Sequence, residues 1–132
     1  MKTITVNTKK TKEIVDITNK INEIIKKNKF KEGVVNLFLT HTTAALTTAD
    51  LDPGTDLDML EAFEEMIPKL RFRHPHDPSH VPSHILSSLI GTSLTLVVEN
   101  RELILGIWQR VVLVELDGPK ERKIIIHFQN EK

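Results

Sequence analysis

Val34-Val35-Asn36-Leu37-Phe38-Leu39-Thr40 runs directly into His41-Thr42-Thr43-Ala44-Ala45-Leu46, and the reading of this stretch decides the fold. Its first seven residues are a dense apolar strand that delivers His41 at its end. Upstream the period changes. Ile21, Ile24 and Ile25 recur at helical spacing, Thr18 or Asn19 is available as a cap, and Gly33 ends the helix. Further back, Ile4 and Val6 alternate with threonines over Lys2 to Thr8, the period-2 pattern of a half-buried strand, and Glu13 to Ile17 reads as another short strand.

Downstream, Ala49-Asp50-Leu51-Asp52-Pro53-Gly54 is turn chemistry. A helix is expected from about Thr55 to Met66, with Leu57, Leu60, Phe63, Met66 and Ile67 inward. Asp56 and Asp58 sit at its positive end. The stretch from Arg71 to Val81 holds Pro75 and Pro78 and cannot be regular helix. Pro82 suits the first turn of a new helix that ends at Gly91. The remainder reads as strands: Leu94 to Val98, Leu103 to Leu116 with Gly106 as a bulge, and Lys123 to Phe128, with Asp117-Gly118-Pro119 breaking the last pair. Strands precede, separate and follow about three helices without a βαβ rhythm. The expectation is therefore a single α+β domain over residues 1–132 with a mainly antiparallel, mixed sheet.

Composition narrows the function classes. A chain of 132 residues is most simply one domain, and it buries about two-thirds of its unfolded surface. Without cysteine there is no disulfide, no thiolate metal site and no cysteine nucleophile, which suits a reducing cytoplasm. The N-terminus has no apolar leader and no stretch approaches a membrane span, so a soluble, cytoplasmic protein without a membrane partner is expected. Eighteen basic residues balance eighteen acidic ones, which argues against nucleic acid as a partner. Lysines 20, 26, 27, 29 and 31 read as a solvated face. Zero net charge removes self-repulsion and eases association between copies.

Six histidines carry the chemical interest. Imidazole is the commonest protein metal ligand and titrates nearest neutral pH. His41 reads either as a strand-end residue bonded to a backbone carbonyl or as a ligand or general base at a pocket mouth. The hydroxyls of Thr42, Thr43, Thr47 and Thr48 suit strand positions and also a phosphate. His84 belongs to a partly polar helix face with Ser87 and Ser88. His80 and His84 have i, i+4 spacing, but Pro82 puts the helix start between them, so they need not share a face. Gln109 falls on one face of a strand with Ile107, Val111 and Leu113 and interrupts an apolar row, as a satisfied core amide, a subunit contact or a site residue. Asp50 and Asp52 either hold Mg²⁺ together or build the turn before Pro53-Gly54. There is no GxSxG elbow, glycine-rich phosphate loop or GxGxxG.

Three blocks of sequence resemble the YjbQ-like family. The first is His41 to Leu46 with Asp52-Pro53 and Asp58. The second is Phe72-Arg73-His74 with Pro82-Ser83-His84-Ile85 and Leu89-Ile90-Gly91. The third is Leu105-Gly106-Ile107-Trp108-Gln109-Arg110 running into Glu115-Leu116-Asp117-Gly118-Pro119 and Arg122. The resemblance implies a homotrimer with pockets at or near subunit contacts and secondary thiamine-phosphate synthase activity. That activity joins a hydroxymethylpyrimidine diphosphate to a thiazole phosphate and releases pyrophosphate. It also implies a polar cluster of His41, His74, His84 and Gln109. The three histidines are then candidate ligands of zinc or another divalent metal, and His41, His84 and Gln109 are candidate catalytic groups. Thr42, Thr43, Asp50, Arg110 and Arg122 are candidates for contact with a phosphorylated metabolite, with Mg²⁺ accompanying a diphosphate. Three departures stand out: Ala49-Asp50 where the family has Asn-Glu, Ile107 where threonine is usual, and Glu99-Asn100-Arg101 where Asp-Gly-Arg is usual. His76 and His80 fall in a variable loop and carry less weight. Other functions to separate from the transferase are a non-catalytic trimer that binds a metal or phosphometabolite, and a metal-dependent hydrolase.

Overall fold

The protein is described from a computed structural model that covers residues 1–74 and 77–131. Among these residues are eight strands, β1 (Lys2–Asn7), β2 (Glu13–Asp16), β3 (Gly33–Leu39), β4 (Ala44–Ala49), β5 (Ser93–Glu99), β6 (Glu102–Leu103), β7 (Arg110–Glu115) and β8 (Glu121–Asn130). The helices are α1 (Thr18–Lys27), α2 (Thr55–Met66) and α3 (Val81–Ile90), the last preceded by a 3-10 turn at Pro78–His80. The strands form two sheets rather than one, ordered β1-β8-β3-β5-β6 and β2-β7-β4. Every pairing is antiparallel, so the mixed sheet expected from the sequence is corrected to two antiparallel ones.

One face of the five-stranded sheet supplies Ile4, Val6, Val35, Leu37, Leu39, Leu96, Val98, Ile124 and Ile126 to a core shared with Ile17, Ile21 and Ile25 and with Leu46, Val111 and Leu113 of the small sheet. The opposite face is open, which is why β3 alternates buried and accessible positions and leaves Phe38 half exposed. The small sheet is covered twice. Its second face packs Ala45, Val112 and Val114 against Leu86 of α3 and Leu60 and Phe63 of α2. Burial on both sides explains the unbroken apolar run Val111-Val112-Leu113-Val114.

Helix α1 buries Ile21 and Ile25 as its spacing predicts, but neither Thr18 nor Asn19 caps it. Asp16 instead accepts from the Thr18 amide at 3.0 Å, and the Thr18 hydroxyl accepts from the Val111 amide at 2.8 Å. That helix ends at Lys27, and Gly33 opens the next strand. Gly33 has φ +140°, and a Cβ there would lie 2.2 Å from the Gln129 carbonyl, so the close approach of β3 to β8 at this end of their pairing requires glycine. In α2 only part of the expected apolar stripe turns inward: Leu60 and Phe63 pack, whereas Leu57 and Met66 stay exposed. The strand expected from Leu103 to Leu116 is two strands. Between them the chain turns at Gly106–Gln109, with the Gln109 amide donating to the Gly106 carbonyl at 3.1 Å.

Candidate functional site

The link between β3 and β4 carries His41 to Thr43, and α3 lies across it. Three side chains within two turns of α3 tie the helix to backbone carbonyls of this link and of the strand ends beside it. Ser83 donates to the Leu116 carbonyl at 2.9 Å and Ser87 to the Ala44 carbonyl at 2.7 Å. His84 Nδ1 lies 3.0 Å from the Thr42 carbonyl. A carbonyl only accepts, so His84 carries its proton on Nδ1, and Nε2 keeps the ring's lone pair when neutral. The ring of His74 stacks on His84 with centroids 5.3 Å apart and planes 17° from parallel. His74 Nδ1 accepts from the Asp77 amide at 3.3 Å.

At His41 the tautomer is set through the other nitrogen. Its Nε2 accepts from the Lys123 amide at 2.9 Å, which leaves the proton on Nδ1. Burial lowers its pKa from the ordinary 6.5, the positive charge of Arg122 lowers it further, Glu115 opposes, and Lys120 and Lys123 add to the fall. His41 is thus a neutral ring with an Nδ1–H donor in a positive local field. It lines a recess of about 320 Å³ in which Thr40, Thr42, Ser87, Ser88 and Thr92 bring hydroxyls.

Beneath this link lies a buried ion pair. Arg122 and Glu115 are 1 % and 0 % exposed, and the guanidinium meets the carboxylate through Nε at 2.9 Å and through a second, shorter bond from the terminal nitrogen. The same terminal nitrogen donates to the Thr43 carbonyl at 3.1 Å and to its hydroxyl at 2.9 Å. Thr8 donates to Glu115 at 2.7 Å, and the Asp117 amide does so at 3.0 Å. Burial pushes the Glu115 carboxyl up, but the bonds from Arg122, Asp117 and Thr8 outweigh it and hold its pKa below the usual range. Gly118 closes the arrangement: a Cβ there would sit 2.4 Å from the Lys10 carbonyl and 2.8 Å from Glu115 Cγ.

Several expectations need revision against this geometry. Arg122, expected to face a phosphate, spends its donors on Glu115 and Thr43 inside the protein and acts by holding the His41 segment. Thr43 is buried in that same network, while Thr42 remains exposed. Gln109 does not interrupt a buried row. It is exposed in the turn before β7, where Oε1 accepts from the Gly106 amide at 3.0 Å and Nε2 donates to the Thr48 hydroxyl at 3.0 Å. Thr48 lies near the far end of β4, so within one chain Gln109 stands at the end of that strand opposite the His41 link. Arg110 is engaged by Asp16 at 2.8 Å, whose carboxyl burial would raise but whose bonds to Arg110 and Thr18 lower. Asp50 builds its turn, accepting from the Asp52 amide at 3.0 Å. Asp50 and Arg110 share a second recess of about 270 Å³ with Trp108.

The donor set does not assemble a metal centre as it stands. His41 Nε2 is occupied by a backbone donor, and ligation through it would break that bond. The near-parallel planes of His74 and His84 do not aim two lone pairs at one point. Among the described residues no group of three histidine, cysteine or acidic side chains is placed to hold an ion. His76 lies outside the described residues, and His80 is engaged by Asp77 at 3.1 Å. Among the described residues no helix is long and apolar enough to cross a membrane.

Two features escape a reading of the sequence. The Arg122–Glu115 pair is hidden although its members stand close along the chain, because nothing in their spacing distinguishes an inward pair from two surface charges. A cleft of about 780 Å³ lies beside α3 and is walled by residues 67–72, a stretch with no periodic pattern.

Comparison with known proteins agrees with the motif blocks. The chain is 34 % identical over 127 residues to UPF0047 protein YugU of Bacillus subtilis, covering 96 % of each. It is 33 % identical over 124 residues to a UPF0047 protein of Archaeoglobus fulgidus, covering 93 % of this chain and 96 % of that one. Among solved structures, a conserved hypothetical protein of Thermus thermophilus superposes with a TM-score of 0.86 at 34 % identity, covering 98 % of this chain and all, 100 %, of the other. A hypothetical protein of Aeropyrum pernix superposes with a TM-score of 0.90 at 29 % identity, covering 98 % of both. The model of the family described as "UPF0047 protein YjbQ-like" matches residues 2–131, so the chain belongs to that family.

Proposed function

We propose that the recess at His41 binds the phosphate or diphosphate of a small metabolite and that the protein acts as a transferase of the thiamine-phosphate synthase type. The observation that carries this reading is the protonation state imposed on His41. A backbone amide occupies Nε2, so Nδ1–H is a fixed donor among five hydroxyl-bearing residues, on a ring kept neutral first by burial and then by the nearby charges of Arg122, Lys120 and Lys123. The three cations beside it, only partly offset by Glu115, favour an anion over a cation. Preorganised neutral donors of this kind suit charge that develops on a leaving oxygen.

In the reaction, the methylene–oxygen bond of a hydroxymethylpyrimidine diphosphate breaks and its electron pair leaves with pyrophosphate. The thiazole nitrogen then forms the new bond to the methylene carbon. His41 donates to a departing oxygen through Nδ1–H, Thr42 and Ser88 supply further hydrogen bonds, and Arg122 holds the segment that aims them. Mg²⁺, where required, accompanies the diphosphate as part of the substrate.

The reading includes a homotrimer. Its support is apolar surface that a lone chain leaves in water: Ile107 is 90 % exposed and Trp108 68 %. Gln109, at the opposite end of β4, reaches a histidine recess only from a neighbouring copy. Titration of ¹⁵N-histidine-labelled protein with pyrophosphate should shift the His41 ring resonances, and His41→Ala should abolish the response. Steady pyrophosphate release from the two precursors should vanish in His41→Ala and in Gln109→Ala, and should return when the two variants are unfolded together and refolded as mixed assemblies. Saturable binding without release would replace the transferase with a phosphometabolite-binding protein. No shift at His41 would remove the site altogether.

A further inference from the structure

A cleft of more than twice the volume of the His41 recess lies away from the histidine end. It shares no lining residue with the recess at His41 and opens between α3, the end of β7 and residues 67–72. Its floor is apolar and closed, formed by Leu86 and Leu116 at 4 % and 2 % exposure, with Ile67 and Phe72 half-buried at its walls. At about 780 Å³ it falls within the range of roughly 300–1,000 Å³ in which small organic ligands are held.

The rim supplies the discrimination. Lys12, Lys69 and Arg71 line it, and among the described residues none of the three lies within ion-pair distance of a carboxylate. Of the two acids at the same rim, Asp117 is held by Lys120 at 2.8 Å and lies 3.8 Å from His80, and among the described residues Glu64 makes no ion pair. Three uncommitted cations therefore face one uncommitted carboxylate. An apolar floor beneath a cationic rim rejects an organic cation and wastes its charge on a neutral ligand. It matches a molecule with an apolar body and one acidic head, since guanidinium and ammonium donors bond such heads with charge assistance.

We propose that this cleft is a second binding site, separate from the histidine recess, for a soluble amphipathic anion: an aromatic ring or short chain that carries a carboxylate, sulfonate or phosphate. The apolar body lies on Leu86 and Leu116 and the head meets Lys69 and Arg71.

The probe is 8-anilinonaphthalene-1-sulfonate, with uncharged N-phenyl-1-naphthylamine as the same kind of body without the acid. Folded wild-type protein should bind the sulfonate saturably at one site per chain, and methyl resonances of Ile67, Leu86 and Leu116 should move together. Lys69→Glu with Arg71→Glu changes exposed side chains that hold no bond, so the fold should persist, as a thermal melt will register. That variant should bind the sulfonate about tenfold more weakly or worse, the loss of at least one charge-assisted hydrogen bond. Its affinity for the uncharged probe and its pyrophosphate response at His41 should stay as in wild type. Sulfonate binding indifferent to charge reversal, methyl shifts centred on the surface around Leu57 or Ile107, or no binding at all would each overturn the proposal.

Discussion

The two ends of the β4–β7 pair are built on opposite terms. At the end that carries His41, a charge pair sealed from water fixes the backbone from below, and α3 fixes it from above through Ser83, His84 and Ser87. At the other end Gln109 and Arg110 rest on surface partners, Thr48 and Asp16, while Ile107 and Trp108 stand in solvent. The contrast teaches that motif residues do not share one purpose. The first set is self-sufficient and holds its geometry within the chain. The second is unfinished until something covers it.

The sharpest way to break this contrast is Arg122→Met. Removing one member of a buried pair strands the other charge, and a loss of about 3–5 kcal/mol in urea unfolding is expected, against little change for Arg110→Met, whose partner is exposed. Equal losses at both arginines would erase the distinction. Acid should expose the same end next. His41 has a lowered pKa, so below its ordinary 6.5 the unfolded chain takes up a proton that the folded chain resists. Its share of stability is complete above 6.5 and is lost as pH falls from there through the lower folded value. Glu115, also lowered, contributes fully above its ordinary 4.5 and loses its share as pH falls through its depressed folded value. Unfolding free energy measured from pH 8 to 3 should fall in both windows. In His41→Ala the upper fall should disappear, and its persistence would detach His41 from the pH response. The smallest effect belongs to the far end: Thr48→Val removes the acceptor for Gln109 Nε2 at an exposed site and should cost about 1 kcal/mol or less. A larger cost would mean that this end is locked from within after all.

Much of the fold was legible because several elements announced their own boundaries. Ile21 and Ile25, Pro82 and Gly91, and the apolar block before His41 all carry local signals, and the elements fall where those signals put them. What failed was information that one segment cannot hold. Alternation from Leu103 to Gln109 looks like a continuing strand, but the ladder stops where Ile104 donates to Val97, and the next residues turn. A helical stripe names which side of α2 is apolar, not how much of that side a neighbour reaches, so Leu57 and Met66 remain outside. At the site, spacing alone did not group the histidines; the resemblance to the family did, and of that group the structure stacks His74 on His84, with tautomers no sequence displays. The ring states of His84 and His41 depend on a Thr42 carbonyl and a Lys123 amide contributed by distant chain. Arg122 looked like a free cation because its partners, Glu115 and Thr43, are recruited only by the folded sheet.

Gly118 gives this arrangement a consequence for its surroundings. With no side chain in the way, the main chain at Lys10 and the Thr8 hydroxyl approach closely enough to shut bulk electrolyte out of the space above Glu115. Mobile counterions weaken charges that they can reach, as at the half-exposed Lys26 and Glu102 pair, and have little hold on those they cannot. The histidine end should therefore keep its shape in brine as in dilute buffer.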